Sequence, residues 1–172
     1  MNINMKKKLI VTSLLAASVL ASAANAATIN VTGSIAASPC VTTTTNAAIT
    51  MPLLTDAQLG KDVGKFSASA TNLTIKLTGC PAISQTATVK FSGTADTEEK
   101  KAWKLDNVEG VALALFEDDG LKQIEVNTDA KAQDISNVTT KDLKYKLKYV
   151  KTSKTLKSGN AQAAIDYDIT YN

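Results

Sequence analysis

The sequence predicts an all-β fold, a β-sandwich of roughly six or seven short strands in one domain. Three observations predict it. Apolar and polar residues alternate with period two in several separate segments. Turn signals such as Asp118-Asp119-Gly120 and Ser158-Gly159-Asn160 punctuate those segments. Thr, Val and Ile are frequent and there are only 3 prolines.

The first segment is expected to lie outside the fold. Lys6, Lys7 and Lys8 precede an apolar stretch from Leu9 to Leu20, and Ala24-Asn25-Ala26 supplies a small-x-small exit. That is the pattern of a secretory signal peptide over residues 1–26. A membrane anchor is disfavoured, because the apolar stretch is shorter than the roughly 20 residues a spanning helix needs. Removing those three lysines from the 19 basic residues leaves 16, against 16 acidic ones. The mature chain is therefore near neutral and offers no electrostatic case for nucleic acid or an anionic membrane as partner.

Strands follow in order. Ala27 to Ile35 alternates, with Ile29, Val31, Gly33 and Ile35 on one face. Leu54 to Lys65 is expected to hold a capped helical turn at Thr55 with a glycine stop at Gly60. Leu73 to Thr78 alternates and runs into Gly79-Cys80-Pro81; Thr86 to Phe91 is a shorter strand. The charged stretch Asp96 to Asp106 reads as a helical turn or an exposed loop around Trp103. Val111 to Phe116 is almost wholly apolar, as in a central strand. After the Asp118-Asp119-Gly120 turn, Leu121 to Val126 returns as its partner. Leu143 to Tyr149 alternates most cleanly, with Leu143, Tyr145, Leu147 and Tyr149 on one face and Lys144, Lys146 and Lys148 on the other. The last strand is Ala161 to Tyr171, with Ala163, Ile165, Tyr167, Ile169 and Tyr171 sharing a face.

The chain has no histidine. That removes the usual general base, the Ser-His-Asp and Cys-His arrangements and most zinc sites. The paired carboxylates Glu98-Glu99 and Asp118-Asp119 are neighbours in sequence, so on a strand they would point to opposite faces. They read as a solvated loop and a turn, and the chain reads as no enzyme, with no metal or cofactor. The two cysteines, Cys40 and Cys80, sit in a chain expected to be exported, where a disulfide between them is favoured over two free buried thiols.

An apolar strand near a chain end can fold back into its own sheet, or it can enter the sheet of another molecule. Alternation alone leaves both open. A resemblance carries the choice further. Val31-Thr32-Gly33-Ser34-Ile35 precedes Cys40, which follows the glycine by seven residues. Leu73-x-Ile75-x-Leu77-x-Gly79-Cys80-Pro81 surrounds the second cysteine. Tyr145 and Tyr149, then Ser158-Gly159-Asn160-Ala161, lead into alternating apolar residues and a penultimate Tyr171. Taken in order, these features resemble the type 1 family of chaperone–usher pilus subunits.

That resemblance implies an incomplete immunoglobulin-like β-sandwich, six strands plus an N-terminal donor strand, divided as residues 1–26 signal peptide, 27–37 donor extension and 38–172 pilin domain. It implies a structural fimbrial subunit that polymerises by donor-strand exchange into a surface fibre for adhesion. The other role within the family is a minor, adaptor or adhesive subunit of the same fibre. The donor face would be Ile29, Val31, Gly33 and Ile35, with Gly33 meeting a shallow point of the groove. The acceptor groove would run along Ala163, Ile165, Tyr167, Ile169 and Tyr171. The implied partners are neighbouring pilin subunits, a periplasmic chaperone that holds the Asn172 carboxylate, and an outer-membrane usher. The implied route runs through the periplasm to the extracellular surface.

Overall fold

A computed structural model describes residues 30–33, 39–44 and 48–172. The expected signal peptide, Met1 to Ala26, lies outside them, as do Ile29 and Ile35. The chain divides into two units, Met1–Ile35 and Ala36–Asn172, and the sandwich is the second. Among the described residues, no helix is long and apolar enough to cross a membrane.

The fold is all-β, with antiparallel pairing throughout and one short helix. The strands are β1 (Val41–Thr42), β2 (Thr71–Thr78), β3 (Thr86–Ser92), β4 (Val111–Glu117), β5 (Gln123–Ile124), β6 (Thr128–Asp129), β7 (Gln133–Asp134), β8 (Thr140–Lys151) and β9 (Asp166–Tyr171). One sheet runs β1-β2-β8-β4-β5. In the other, β3 is flanked by β6 and β7 on one side and by β9 on the other, because Ala87 pairs with both Gln133 and Tyr171. The core fills the space between the sheets.

Alternation becomes burial where a strand has neighbours on both sides. In β8, Leu143, Tyr145 and Leu147 face the core, and the Tyr145 ring meets Phe91 of the opposite sheet edge-on at 4.8 Å. The lysines take the other face. Lys148 folds over the Phe116 ring at 4.9 Å and donates to the Gly120 carbonyl, so its stem covers apolar surface while its ammonium stays near water. At Val150 the apolar face changes sides. Val150 joins Ala102, Ala112, Ala114 and Phe116 in a second cluster on the outside of the sheet, and Phe66 packs edge-on against Phe116 at 5.0 Å. This second cluster explains why every residue of β4 is buried. Its inner face meets the core and its outer face meets this cap.

β8 ends in a buried lysine. Lys151 Nζ donates to the carbonyl oxygens of Gly110, Thr152 and Lys154 at 3.3, 3.0 and 2.7 Å. Three acceptors satisfy the three donors of an ammonium group that has left water.

The helical turn forms as expected. In α1 (Asp56–Leu59), Thr55 and Gln58 make a reciprocal capping box, and Gly60 at φ 77° closes it. Its Leu59 is fully buried, so the turn plugs apolar surface into the sandwich.

Three expectations need correction. The charged stretch around Trp103 is an irregular loop whose charges are mostly exposed, but Trp103 itself is fully buried. Its backbone exchanges two hydrogen bonds with Leu113, at 2.7 and 2.9 Å, and its indole Nε1 donates to Ser92 O. The charges remain outside in short pairs, Lys101–Glu125 and Lys104–Asp106. Gly93 makes room for the ring, because a Cβ there would lie 2.6 Å from Nε1. Second, the return from the Asp118–Gly120 turn pairs only at Gln123–Ile124, and Leu121 is exposed. Third, the last strand begins at Asp166, not Ala161. The preceding segment is held elsewhere, by bridges from Lys157 to Glu109 and from Gln162 to Asp106. Ala163 is therefore exposed and outside the strand.

Candidate functional site

The candidate site is the unpaired edge of β9. On that strand Tyr167, Ile169 and Tyr171 are half-buried and pack against the core, while Asp166, Asp168 and Thr170 are exposed. Ile165 also packs there from just before the strand. Of the five predicted groove residues, four thus share one face at the rim of the core, and Ala163 does not.

Backbone direction follows from pairing. Thr86 and Asn172 exchange both of their hydrogen bonds, at 2.7 and 3.1 Å. In an antiparallel ladder such residues alternate with ones whose peptide groups point away. Asn172, Thr170, Asp168 and Asp166 therefore bond to β3. Tyr171, Ile169 and Tyr167 turn their N–H and C=O groups to the opposite edge, where no strand pairs with them among the described residues. The same three residues thus present apolar side chains inward and free peptide groups sideways, the requirement for accepting a further strand.

A second wall faces this edge. Residues 40–44 run along β2, with Val41 opposite Thr78 and Thr43 N donating to Lys76 O. By the same alternation the peptide groups of Cys40, Thr42 and Thr44 point away from β2. The Tyr167 hydroxyl donates to Thr44 O, and the Tyr171 hydroxyl donates to Cys40 O at 3.4 Å. Both tyrosine hydroxyls therefore reach across from one sheet to the other. Burial pushes the Tyr171 hydroxyl above its ordinary pKa, with Tyr167 adding to the effect, so Tyr171 remains a donor at neutral pH. Sequence reasoning missed this second wall. The β-branched run Val41-Thr42-Thr43-Thr44 was its signal.

Cys40 and Cys80 form a disulfide. It joins the start of the second wall to the end of β2. Closing a loop with a sequence separation of 40 contributes roughly 4 kcal/mol in the chain-entropy model.

The predicted donor residues fall in the other unit. Val31 is 89% exposed, and nothing lies within 4 Å of where a Cβ on Gly33 would be. Ile29 and Ile35 lie outside the described residues. No group of three or more metal-ligating side chains occurs among the described residues.

Known proteins resemble this chain in sequence and in fold. It is 31% identical over 113 residues to the uncharacterized fimbrial-like protein YcbU of Escherichia coli, an alignment that covers 60% of this chain and spans 61% of that protein's length. It is 29% identical over 151 residues to long polar fimbria protein A of Salmonella typhimurium, covering 84% of this chain and 83% of that one. No family model matches the chain. The fold is like that of the P pilus rod subunit PapA, with a TM-score of 0.66 at 16% identity over 78% of this chain and all of the other. Two fimbrial proteins thus resemble the chain in sequence, and a pilus rod subunit resembles it in fold.

Proposed function

We propose that this chain is a structural subunit of a chaperone–usher fimbria and that it polymerises by donor-strand exchange. The observation that carries the reading is the edge of β9, where Tyr167, Ile169 and Tyr171 combine half-buried side chains with peptide groups that no strand pairs among the described residues. A strand added there gains backbone hydrogen bonds and completes apolar burial in one step. Finishing the burial of each of these side chains is worth on the order of 1 kcal/mol. The exposed Val31 and the small Gly33 support residues 27–35 as the strand that is given, with Ile29, Val31, Gly33 and Ile35 facing the neighbour's core. Before assembly, a periplasmic chaperone covers the edge, and an outer-membrane usher exchanges its strand for that of the next subunit. The role is structural, and the finished fibre lies on the cell surface.

The test compares surface fibres of the wild type with those of a chain lacking Thr28 to Ile35, on denaturing gels with and without boiling. Donated strands dissociate slowly, so the wild type gives a heat-labile ladder and the deletion gives monomer. Monomer from both samples would mean that the N-terminal strand completes its own sandwich.

A further inference from the structure

We propose that Tyr167 and Tyr171 close the empty acceptor groove, and that an incoming strand must displace their hydroxyls from the second wall. This inference rests on the strand-addition reading of the β9 edge and adds a gate to it. The two hydroxyls are four residues apart on β9 and bond to carbonyls four residues apart on the facing segment, Thr44 and Cys40. The pairing is antiparallel, so one rigid edge matches another at two points. The carbonyls they occupy belong to residues 40 and 44, whose peptide groups point away from β2 and toward the gap. A strand lying between β9 and residues 40–44 would draw its second row of hydrogen bonds from those same carbonyls and from Thr42.

The closure answers two needs of a subunit with an unfilled edge. It satisfies two outward carbonyls that would otherwise wait for a partner. It also draws two large aromatic side chains across apolar surface that would otherwise be open to water. Each bond is a single neutral hydrogen bond, so the gate is weak enough to yield to a strand that supplies several. Phenylalanine keeps the ring and its packing but removes the donor. The gate and the packing are thus separable by one atom at each position.

The experiment uses the full mature chain, purified as monomer, and a fluorescent synthetic peptide with the sequence of residues 27–36. Peptide capture is followed over time by anisotropy for the wild type, Tyr167→Phe, Tyr171→Phe and the double variant. Tyr149→Phe is the control, because that hydroxyl makes no hydrogen bond among the described residues. Each phenylalanine in the gate is expected to raise the capture rate about fivefold, the factor that one net hydrogen bond of about 1 kcal/mol represents, and the control to leave it unchanged. Capture at the wild-type rate by all gate variants would overturn the closure while leaving strand addition intact. Slower capture would also overturn it, by making the hydroxyls part of the peptide's own binding. Absence of capture by every chain, wild type included, would remove the strand-addition reading itself. The single variants keep the test available if the double variant does not fold.

Discussion

β8 and β9 carry the same alternation and the same tyrosines, yet they meet different surroundings. In β8, Leu143, Tyr145 and Leu147 are at most 3% exposed. In β9, Tyr167, Ile169 and Tyr171 stay half-buried. The side chains are alike in size and polarity, so composition does not separate the two strands. The difference is lateral. β8 lies between β2 and β4, whereas β9, among the described residues, has β3 on one side only. A period-two pattern specifies which face a residue takes, but the depth of burial depends on how many strands flank that face. A β9 residue has an interior address and a rim environment, and that mismatch is what a further strand would remove.

Truncation gives the largest effect and breaks the comparison most directly. Tyr145→Ala is expected to cost about 3–5 kcal/mol, as for other buried large-to-small changes, because the ring sits against Phe91 between the sheets. Ile169→Ala in the free subunit is expected to cost less than about 2 kcal/mol, since the site is already partly solvated. Urea unfolding of the monomeric variants checks both. Equal losses would mean that β9 is as well sealed as β8 and that no groove is open. The Ile169→Ala fibre is also expected to fall apart at a lower temperature than the wild-type fibre.

The disulfide tests whether the second wall needs a covalent tie. Cys40→Ala combined with Cys80→Ala is expected to lower stability by about 2–4 kcal/mol and to reduce subunit yield in periplasmic extracts. Unfolding of the wild type with and without reductant should show the same difference. Equal yields of variant and wild type would mean that pairing with β2 alone holds residues 40–44 in place.

Much of this architecture is legible in the sequence, and the losses have physical reasons. β2, β3, β4 and β8 are long and regular enough for periodicity to show, and their predicted spans agree with the observed ones within a few residues. The capped turn of α1 was readable because its cap, Thr55, and its stop, Gly60, act locally. β6 and β7 were not readable, since a strand of two residues has no period. Trp103 was misread because its neighbours in sequence are charged. Its burial comes from partners far along the chain, Leu113 and Ser92, and from the space that Gly93 leaves. At the candidate site, the inward face of β9 was legible from Ile165 onward. Ala163 was not excluded, because the bridge from Gln162 to Asp106 that breaks the strand is a tertiary contact. The hydroxyls of Tyr167 and Tyr171 have no signature in sequence either, because any edge tyrosine looks alike until its acceptor is in place.

Two lysines on β8 sharpen the contrast between interior and rim along one strand. Lys151→Met is expected to cost about 1–3 kcal/mol, because it leaves the carbonyls of Gly110, Thr152 and Lys154 without their donor. Lys144 is exposed, and Lys144→Met should stay within about 0.5 kcal/mol of wild type. Thermal unfolding of the two variants side by side makes the measurement. A small loss at Lys151 would show that water replaces the ammonium there and that this end of β8 is more open than its burial suggests.

The Tyr145 hydroxyl has only a small effect at neutral pH. Burial pushes its pKa well above the usual tyrosine range, the Glu117 carboxylate adds to the rise, and the hydrogen bond with Gln133 offsets part of it. The folded state therefore holds this proton more tightly than the unfolded chain does, for which the pKa is about 10. The resulting stabilisation is fully present below pH 10 and is lost as pH rises from there toward the folded-state value. Tyr149 and Tyr171 are shifted the same way by burial, and they add to the same alkaline limb. Tyr145→Phe removes the largest contributor. At pH 7 it should change stability by about 1 kcal/mol or less, the worth of one neutral hydrogen bond. Above pH 10 the variant should lose stability less steeply than the wild type, so the two curves converge or cross. Urea midpoints measured from pH 7 to pH 11 decide it. Parallel curves would mean that water reaches the Tyr145 hydroxyl in the folded state, and the interior side of the contrast between β8 and β9 would lose its clearest marker.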